Sequence, residues 1–375
     1  MRVEQVRLEA SELVSGFRPV SKNPDLVLIF AAPEIISLPG FFETLKSSYP
    51  SSLLTGCSTA GGIYHTEVLE NTVVICEITF TSSRCSVITE QVAGNRDSFD
   101  AGRKLAEKVD MSGLRAVILL APGVDINGSA IVDGMVSVLG DIPISGGLAG
   151  DEGAFQQTFT LTPEGVDETS LVAICLYGEN LSIEYSSFGG WQPFGPLRKV
   201  TRHQGNTLQE LDGRPALELY KRYLGEYASE LPKSGLYFPL EMVHPDNREN
   251  GLIRTIMSVD DQTGDLILAG DIDPECYMRL MHASTDGLIN GADVAASRIS
   301  PSDHDRLALL VSCVGRKIIM CDEVCEEIEA VKMRLGPSTA TTGFYSFGEI
   351  CPSLDARQCQ FHNQTMTLTV ISESV

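Results

Sequence analysis

The chain repeats itself, and that repetition constrains its fold more than any other feature. "LLTGCSTAGGIY" near the N-terminus, "ISGGLAGDEG" in the middle and "TTGFYSFGEICP" near the end are variants of one glycine-marked turn. Each closes a strand that itself follows a strand and a helix. The first unit begins with "DLVLIFAAP", an apolar run of buried-strand type, followed by "LPGFFETLKSSY", where Leu38, Phe41, Phe42 and Leu45 form one helical face. The second restarts at "RAVILLAPG" and continues into "NGSAIVDGMVSVLG", a helix that Asn127 or Ser129 can cap. The third is "RLALLVSCVG" followed by "DEVCEEIEAVKMRLG", a helix stopped at Gly336.

Aligned on these units, Leu26 matches Ala116, and Gly56 matches Gly146 and Gly343. An extra stretch around Phe155–Thr162 shifts the second copy, after which Val73 to Cys76 match Val172 to Cys175. One supersecondary unit used three times should place equivalent turns equivalently. The expectation is an α/β fold of repeated βα-β units forming mixed sheets packed with helices, in two domains. The N-terminal domain spans 25–202, with repeats at about 25–92 and 115–190. The C-terminal domain spans 203–375, with the third repeat at about 306–372. Between the second and third copies, "GGWQPFGPLRKVT" reads as the boundary. A helix is expected from Pro215 to Gly225, a hairpin around "DDQTG", and helices over "DPECYMRLMHAS" and "DGLINGADVAASRI".

Charge excludes some partners. Against 28 Lys and Arg stand 50 Asp and Glu, a net charge of −22. A surface that acidic repels phosphate backbones and anionic membranes, so direct binding of nucleic acid is not expected. No apolar run approaches the roughly 20 residues of a spanning helix, and "MRVEQVRLEA" is not of signal-peptide type. A soluble, cytoplasmic protein without membrane insertion is the expectation. The ten cysteines contain no Cys-x-x-Cys pair. Cys76 and Cys175 read as core residues. Cys321 and Cys325, one helical turn apart, suit either a metal or one exposed and one buried thiol.

The turn sequences, together with "VTRHQGNTLQELDGRPALELY", "GFYSFGEI" and "HNQTMTLTV", resemble the FIST family, an N-terminal FIST domain followed by a FIST C-terminal domain. The resemblance runs from about Asp25 to the end. Gly62 stands where the family often has an acid, and Phe347 where a tyrosine is common. The resemblance implies a sensory module for signal transduction that binds a small, amino-acid-like ligand and acts through a separate partner such as a histidine kinase. Some members are similar to haem-dependent nitric-oxide sensors. A haem would need an axial ligand, for which His203, His244 and His282 are candidates.

The turns offer a ligand site, because ligands of open α/β sheets lie at the carboxyl ends of such strands. Gly56 and Gly147 would let backbone amides approach a ligand, and Thr55, Ser58 and Thr59 add hydroxyls. Tyr345 and Phe347 would wall an apolar pocket. Asp151 and Glu349 would accept from an ammonium group, Arg254 would fork onto a carboxylate, and Asn363 would border the pocket. The plain alternatives are that the glycines serve only the bend, that the two acids are solvated, that Arg254 sits in an ordinary ion pair and that Asn363 fixes a turn. Cys57 offers a thiol nucleophile, which needs a base and an orienting partner; His65, eight residues on and past another turn, fits a solvent-exposed position as well as it fits that base. Cys57 reads better as a strand-end core residue, and a binding protein is preferred over an enzyme.

Overall fold

The computed structural model describes residues 1–245, 247–352 and 359–374. Three six-stranded sheets and one eight-stranded sheet account for its strands. The first sheet runs Arg2–Leu8, Val73–Thr79, Leu26–Ala31, Leu53–Ser58, Thr160–Thr162, Gly165–Asp167. The second runs Arg84–Gln91, Ser170–Tyr177, Leu114–Ala121, Ile144–Leu148, Glu349–Pro352, Cys359–His362. The third runs Leu181–Phe188, Met366–Glu373, Arg306–Cys313, Thr339–Ser346, Gly62–Tyr64, Glu67–Leu69. Each repeat thus contributes three strands to its own sheet and lends its hairpin to a neighbour's, and the sixth strand of each sheet, Arg2–Leu8, Arg84–Gln91 or Leu181–Phe188, is the one that precedes the repeat's first strand in the chain. The first repeat lends to the third, the second to the first and the third to the second. This exchange closes the three sheets into one three-fold body.

The parallel pairs explain the repeated glycine. Gly56 lies opposite Ile29, Gly146 opposite Leu119 and Gly343 opposite Leu310. A β-carbon at these glycines would sit 1.8, 2.0 and 1.8 Å from the partner's carbonyl oxygen. No other residue fits so close a backbone approach.

Alternation within the strands sorts the core. One face of all three sheets meets along the shared axis: Leu26, Leu28, Cys76, Ile118, Ile174, Leu307 and Leu309 belong to a single buried cluster. It is almost filled, with a void of about 10 Å³ between the three central strands. The opposite faces are covered by helices. Phe41–Ser48 packs on the first sheet, with Phe41 and Leu45 buried. Ser98–Glu107 and Gly128–Leu139 pack on the second. Thr285–Ser297 and Val324–Leu335 pack on the third.

Two expectations need correction here. The pairing equates Val74, not Val73, with Val172, because Phe30 and Leu120 are their respective partners. Cys76 therefore faces the axis and Cys175 the helices, on opposite faces of their sheets. The match was one residue out, and a one-residue slip exchanges the two faces of a strand. The "DPECYMRLMHAS" stretch is a strand, Tyr277–His282, rather than a helix. Sheet pairing on both sides, to Leu240–His244 and Gln192–Gln204, outweighs its local preference.

The third copy completes the three-fold body, so residues 192–282 form an insertion within it. That insertion is the eight-stranded sheet, with Ala216–Leu224 packed against it through Leu217, Leu219 and Tyr220. It joins the body through the long Gln192–Gln204 strand and returns after His282.

Candidate functional site

The three corners do meet, and they seal one another. Ser58, Leu148 and Tyr345 donate their backbone N–H to Phe159 O, Gly348 O and Gly61 O at 2.8–2.9 Å. Ala60 N donates to Tyr345 O, Gly150 N to Ser58 O and Phe347 N to Leu148 O, at 3.0, 2.9 and 3.4 Å. This cyclic set of bonds consumes the amides that the sequence offered to a ligand.

Most of the candidate side chains are consumed as well. Thr55 Oγ1 donates to Leu161 O at 2.9 Å. Ser58 Oγ accepts from Phe159 N at 2.9 Å, and Thr59 Oγ1 bonds Gly61 O and Tyr345 O. Cys57 is fully buried in the axial core, where burial pushes its thiol well above the usual range. No thiolate is on offer there. A β-carbon on Gly147 would meet Gly348 O and Val311 at 2.8 Å, so this glycine serves packing.

Tyr345 does not wall a pocket. Its hydroxyl points into the core and donates to Glu327 Oε1, part of a buried group in which Arg316 donates to Glu327 Oε2 at 2.7 Å and Ser312 donates to Oε1 at 2.9 Å. Asp151 and Glu349 are buried, not solvated. Asp151 accepts from the backbone N–H groups of Phe155, Gln156 and Gln157 at 2.7–3.0 Å, which pins the extra stretch of the second repeat. Glu349 accepts from Ser346 Oγ at 2.7 Å and from Thr365 N and Oγ1 at 3.1 and 3.0 Å. Burial outweighs these bonds and raises its carboxyl to about 8. Arg254 is buried, yet it forms no ion pair within 4 Å among the described residues. It donates to the carbonyls of Asp271, Ile253 and Phe361.

A cavity of about 380 Å³ opens beside the second corner. It lies between the three-fold body and the inserted sheet. The body contributes Asn95, the loop 123–128, Leu148, Phe155, Phe347 and Phe361, and the inserted sheet contributes Asn206, Met257 and residues 268–270. Of the residues expected from sequence, Phe347 lines it. Arg254 lies behind its wall, 3.2 Å from where a β-carbon on Gly270 would sit.

The cavity's geometry follows from local sequence. After Ala121 the chain does not turn straight into a helix; Asn127 caps Gly128–Leu139, its Oδ1 accepting from Ala130 N at 3.1 Å. Asn127 Nδ2 also reaches both carboxylate oxygens of Asp271 on the inserted sheet, at 3.1 and 3.0 Å. One side chain therefore caps the helix and ties the two units together. The Phe155 ring stacks on Phe347 at 4.1 Å between centroids and 19° between planes. Phe155 has a φ of +54° and Asp125 a φ of +58°, both in the left-handed region. Strain of this kind at two residues lining one cavity is a frequent mark of a functional site. The Asp125 carboxylate is exposed and, like the Asn95 amide, makes no hydrogen bond among the described residues.

The chemistry on offer is an aromatic slab, the Asn95 carboxamide, the Asn206 Oδ1, an unpaired carboxylate and the first turn of a helix, whose backbone N–H groups favour negative charge. Haem does not fit this cavity. Among the described residues lining it there is no histidine, cysteine or tyrosine to serve as proximal ligand. His203, His244 and His282 all lie on the inserted sheet, outside the lining.

The architecture is an α/β body of three exchanged repeats with an inserted sheet and a cavity between the two. Residues 25–214 match the FIST N domain and residues 216–352 the FIST C domain, and the chain belongs to the FIST family. That family is associated with sensing in signal transduction. The chain is also similar to an uncharacterized protein of Methanocaldococcus jannaschii, 24% identical over 328 residues. That match covers 80% of this chain and 62% of the relative, so the chain spans about three-fifths of the relative's length. Among solved structures, a cyanuric acid hydrolase from A. caulinodans covers 100% of this chain and 99% of its own at 7% identity, with a TM-score of 0.37. A likeness that distant carries no weight for fold or chemistry. No helix among the described residues is long and apolar enough to cross a membrane.

Two signals for the cavity were present in the sequence: the extra stretch that carries Phe155, and Asn127 at a helix start. Asn95, Asn206, Met257 and Phe361 gave none, because they lie far apart in the chain and meet only across the body–insert junction.

Proposed function

We propose that this protein is a non-catalytic sensor that binds a small amino-acid-like metabolite in the cavity beside the second corner and signals through a separate partner, such as a histidine kinase. The observation that carries the reading is the pairing of Phe155 on Phe347 next to the unpaired Asp125 carboxylate, in a cavity walled by both units. Asp125 would take the ammonium group, the amides at the start of Gly128–Leu139 the carboxylate, and the aromatic slab the side chain. Because Asn127 and Asp271 already link the two units across this cavity, occupancy would favour one arrangement of insert against body.

Thermal melting against a panel of amino acids and related metabolites tests this, since a ligand of the native state raises the melting temperature by mass action. At least one compound should stabilise the wild-type protein and fail to stabilise Phe155→Ala and Asp125→Asn. A flat response to the whole panel overturns the proposal.

A further inference from the structure

Where the inserted sheet meets the third repeat, two short stretches run side by side. Arg254, Thr255 and Ile256 form one, and residues 361–364 the other. Arg254 Nη1 donates to Phe361 O at 3.0 Å. Gln364 Nε2 donates to Leu236 O at 3.3 Å, and the neighbouring Gly235 packs on Ile256. Within this seam Thr255 Oγ1, His362 Nε2, Asn363 Oδ1 and Gln364 Oε1 have no hydrogen-bond partner among the described residues. Each belongs to a residue that is 9% exposed or less. Native proteins leave few buried polar atoms unpaired, so this cluster calls for partners from outside the chain, water or a small molecule.

The same seam holds a cation with no carboxylate in ion-pair contact among the described residues. Arg254 is 3% exposed, its three hydrogen bonds all go to backbone carbonyls, and its Nη2 makes none among the described residues. Asp271 and Asp273 favour its charge from beyond ion-pair distance. A buried charge is tolerated when it is paired.

We propose that the seam binds a small carboxylate that carries an adjacent hydrogen-bond donor, the head of an α-hydroxy or α-amino acid. A carboxylate accepts, so it satisfies Arg254 Nη2 and the Thr255 hydroxyl, while His362, whose other ring nitrogen donates to the Cys351 backbone, offers Nε2 as an acceptor to the guest's donor. The adjacent hydroxyl or ammonium donates to Asn363 Oδ1 or Gln364 Oε1. A neutral guest would leave Arg254 unpaired, and a metal cation would be repelled by it. Of the seam residues only Phe361 also lines the cavity, so this site does not depend on the cavity being occupied.

Calorimetric titration and thermal melting with glycolate, glycine and acetate test the assignment, with chloride as the reference anion at constant ionic strength and pH 7. Glycolate or glycine should bind saturably and raise the melting temperature, and acetate, lacking the donor, should bind several-fold more weakly. Thr255→Val, which keeps the shape and removes one unpaired hydroxyl, should weaken binding at least tenfold, and Arg254→Lys should do the same. Phe155→Ala should leave it unchanged. If Arg254→Lys does not fold, Thr255→Val decides. No saturable binding of any of the three, binding indifferent to Thr255→Val, or a crystal structure grown with glycolate that shows only water in the seam each overturns the proposal. Failure of the cavity reading looks different: larger amino acids would then be indifferent to Phe155→Ala.

Discussion

The second corner of the body differs from the first and third in two ways. In the first repeat the strand ending at Ala31 is followed almost at once by the helix Pro33–Ile36, and in the third the strand ending at Cys313 runs directly into Val314–Met320. In the second, residues 122–127 intervene between Ala121 and the helix Gly128–Leu139. The second difference lies at the turn. Gly61 and Gly348 lead straight into hairpin strands, whereas Asp151 stands at the matching place and pins an extra loop through three backbone amides. Both departures border the cavity. The shared scaffold closes three corners, and the cavity arises where one copy stops being a copy.

If that comparison holds, the scaffold glycines should matter equally in every corner. Gly56→Ala, Gly146→Ala and Gly343→Ala should each destabilise severely, by about 4 kcal/mol or more, because each β-carbon would lie within 2.0 Å of a carbonyl oxygen. Soluble expression and denaturant melts would show it. One corner tolerating the change while the others fail would break the equivalence.

Glu349 sharpens the comparison at the third corner. Its carboxyl titrates near 8 when folded, far above its unfolded value, so the folded state holds the extra proton. Its contribution to stability is therefore complete below about pH 4.5 and is lost as pH rises through about 8. Glu349→Gln imitates the protonated form. It should match wild type near pH 5 and be more stable by about 2–4 kcal/mol near pH 9. Parallel pH profiles for the two proteins would refute this.

Smaller effects are expected at the second corner itself. Asp151→Ala should cost about 1–3 kcal/mol by releasing three buried amides, and it should abolish ligand-induced stabilisation by freeing Phe155. Asn127→Ala should cost about 1 kcal/mol as a lost helix cap. By also cutting the tie to Asp271, it should loosen the insert in amide exchange. Phe155→Ala should change stability least while removing the response to ligand.

What could be read from the chain divides along physical lines. The triple repeat, the matching of Gly56, Gly146 and Gly343, the helix over Gly128–Leu139 and the hairpin across "DDQTG" were all legible, since each rests on local periodicity or on a residue's own backbone limits. The Tyr277–His282 strand was not, because partners on both sides decide it. Among site candidates, Phe347 was found as a lining residue. Thr55, Ser58, Thr59 and Tyr345 carry the right chemistry and spend it on the protein's own hydrogen bonds.

By itself, then, the sequence determined that one βα-β unit would be built three times with a glycine at every bend, because close backbone approach excludes any side chain there. Only the tertiary structure decided that the hairpins would be exchanged between sheets, that the corners would close on one another, and that the open space would lie between the second corner and the insert. Those outcomes depend on contacts between residues more than a hundred positions apart, such as Asn127 with Asp271 and Arg254 with Phe361, which no local pattern encodes.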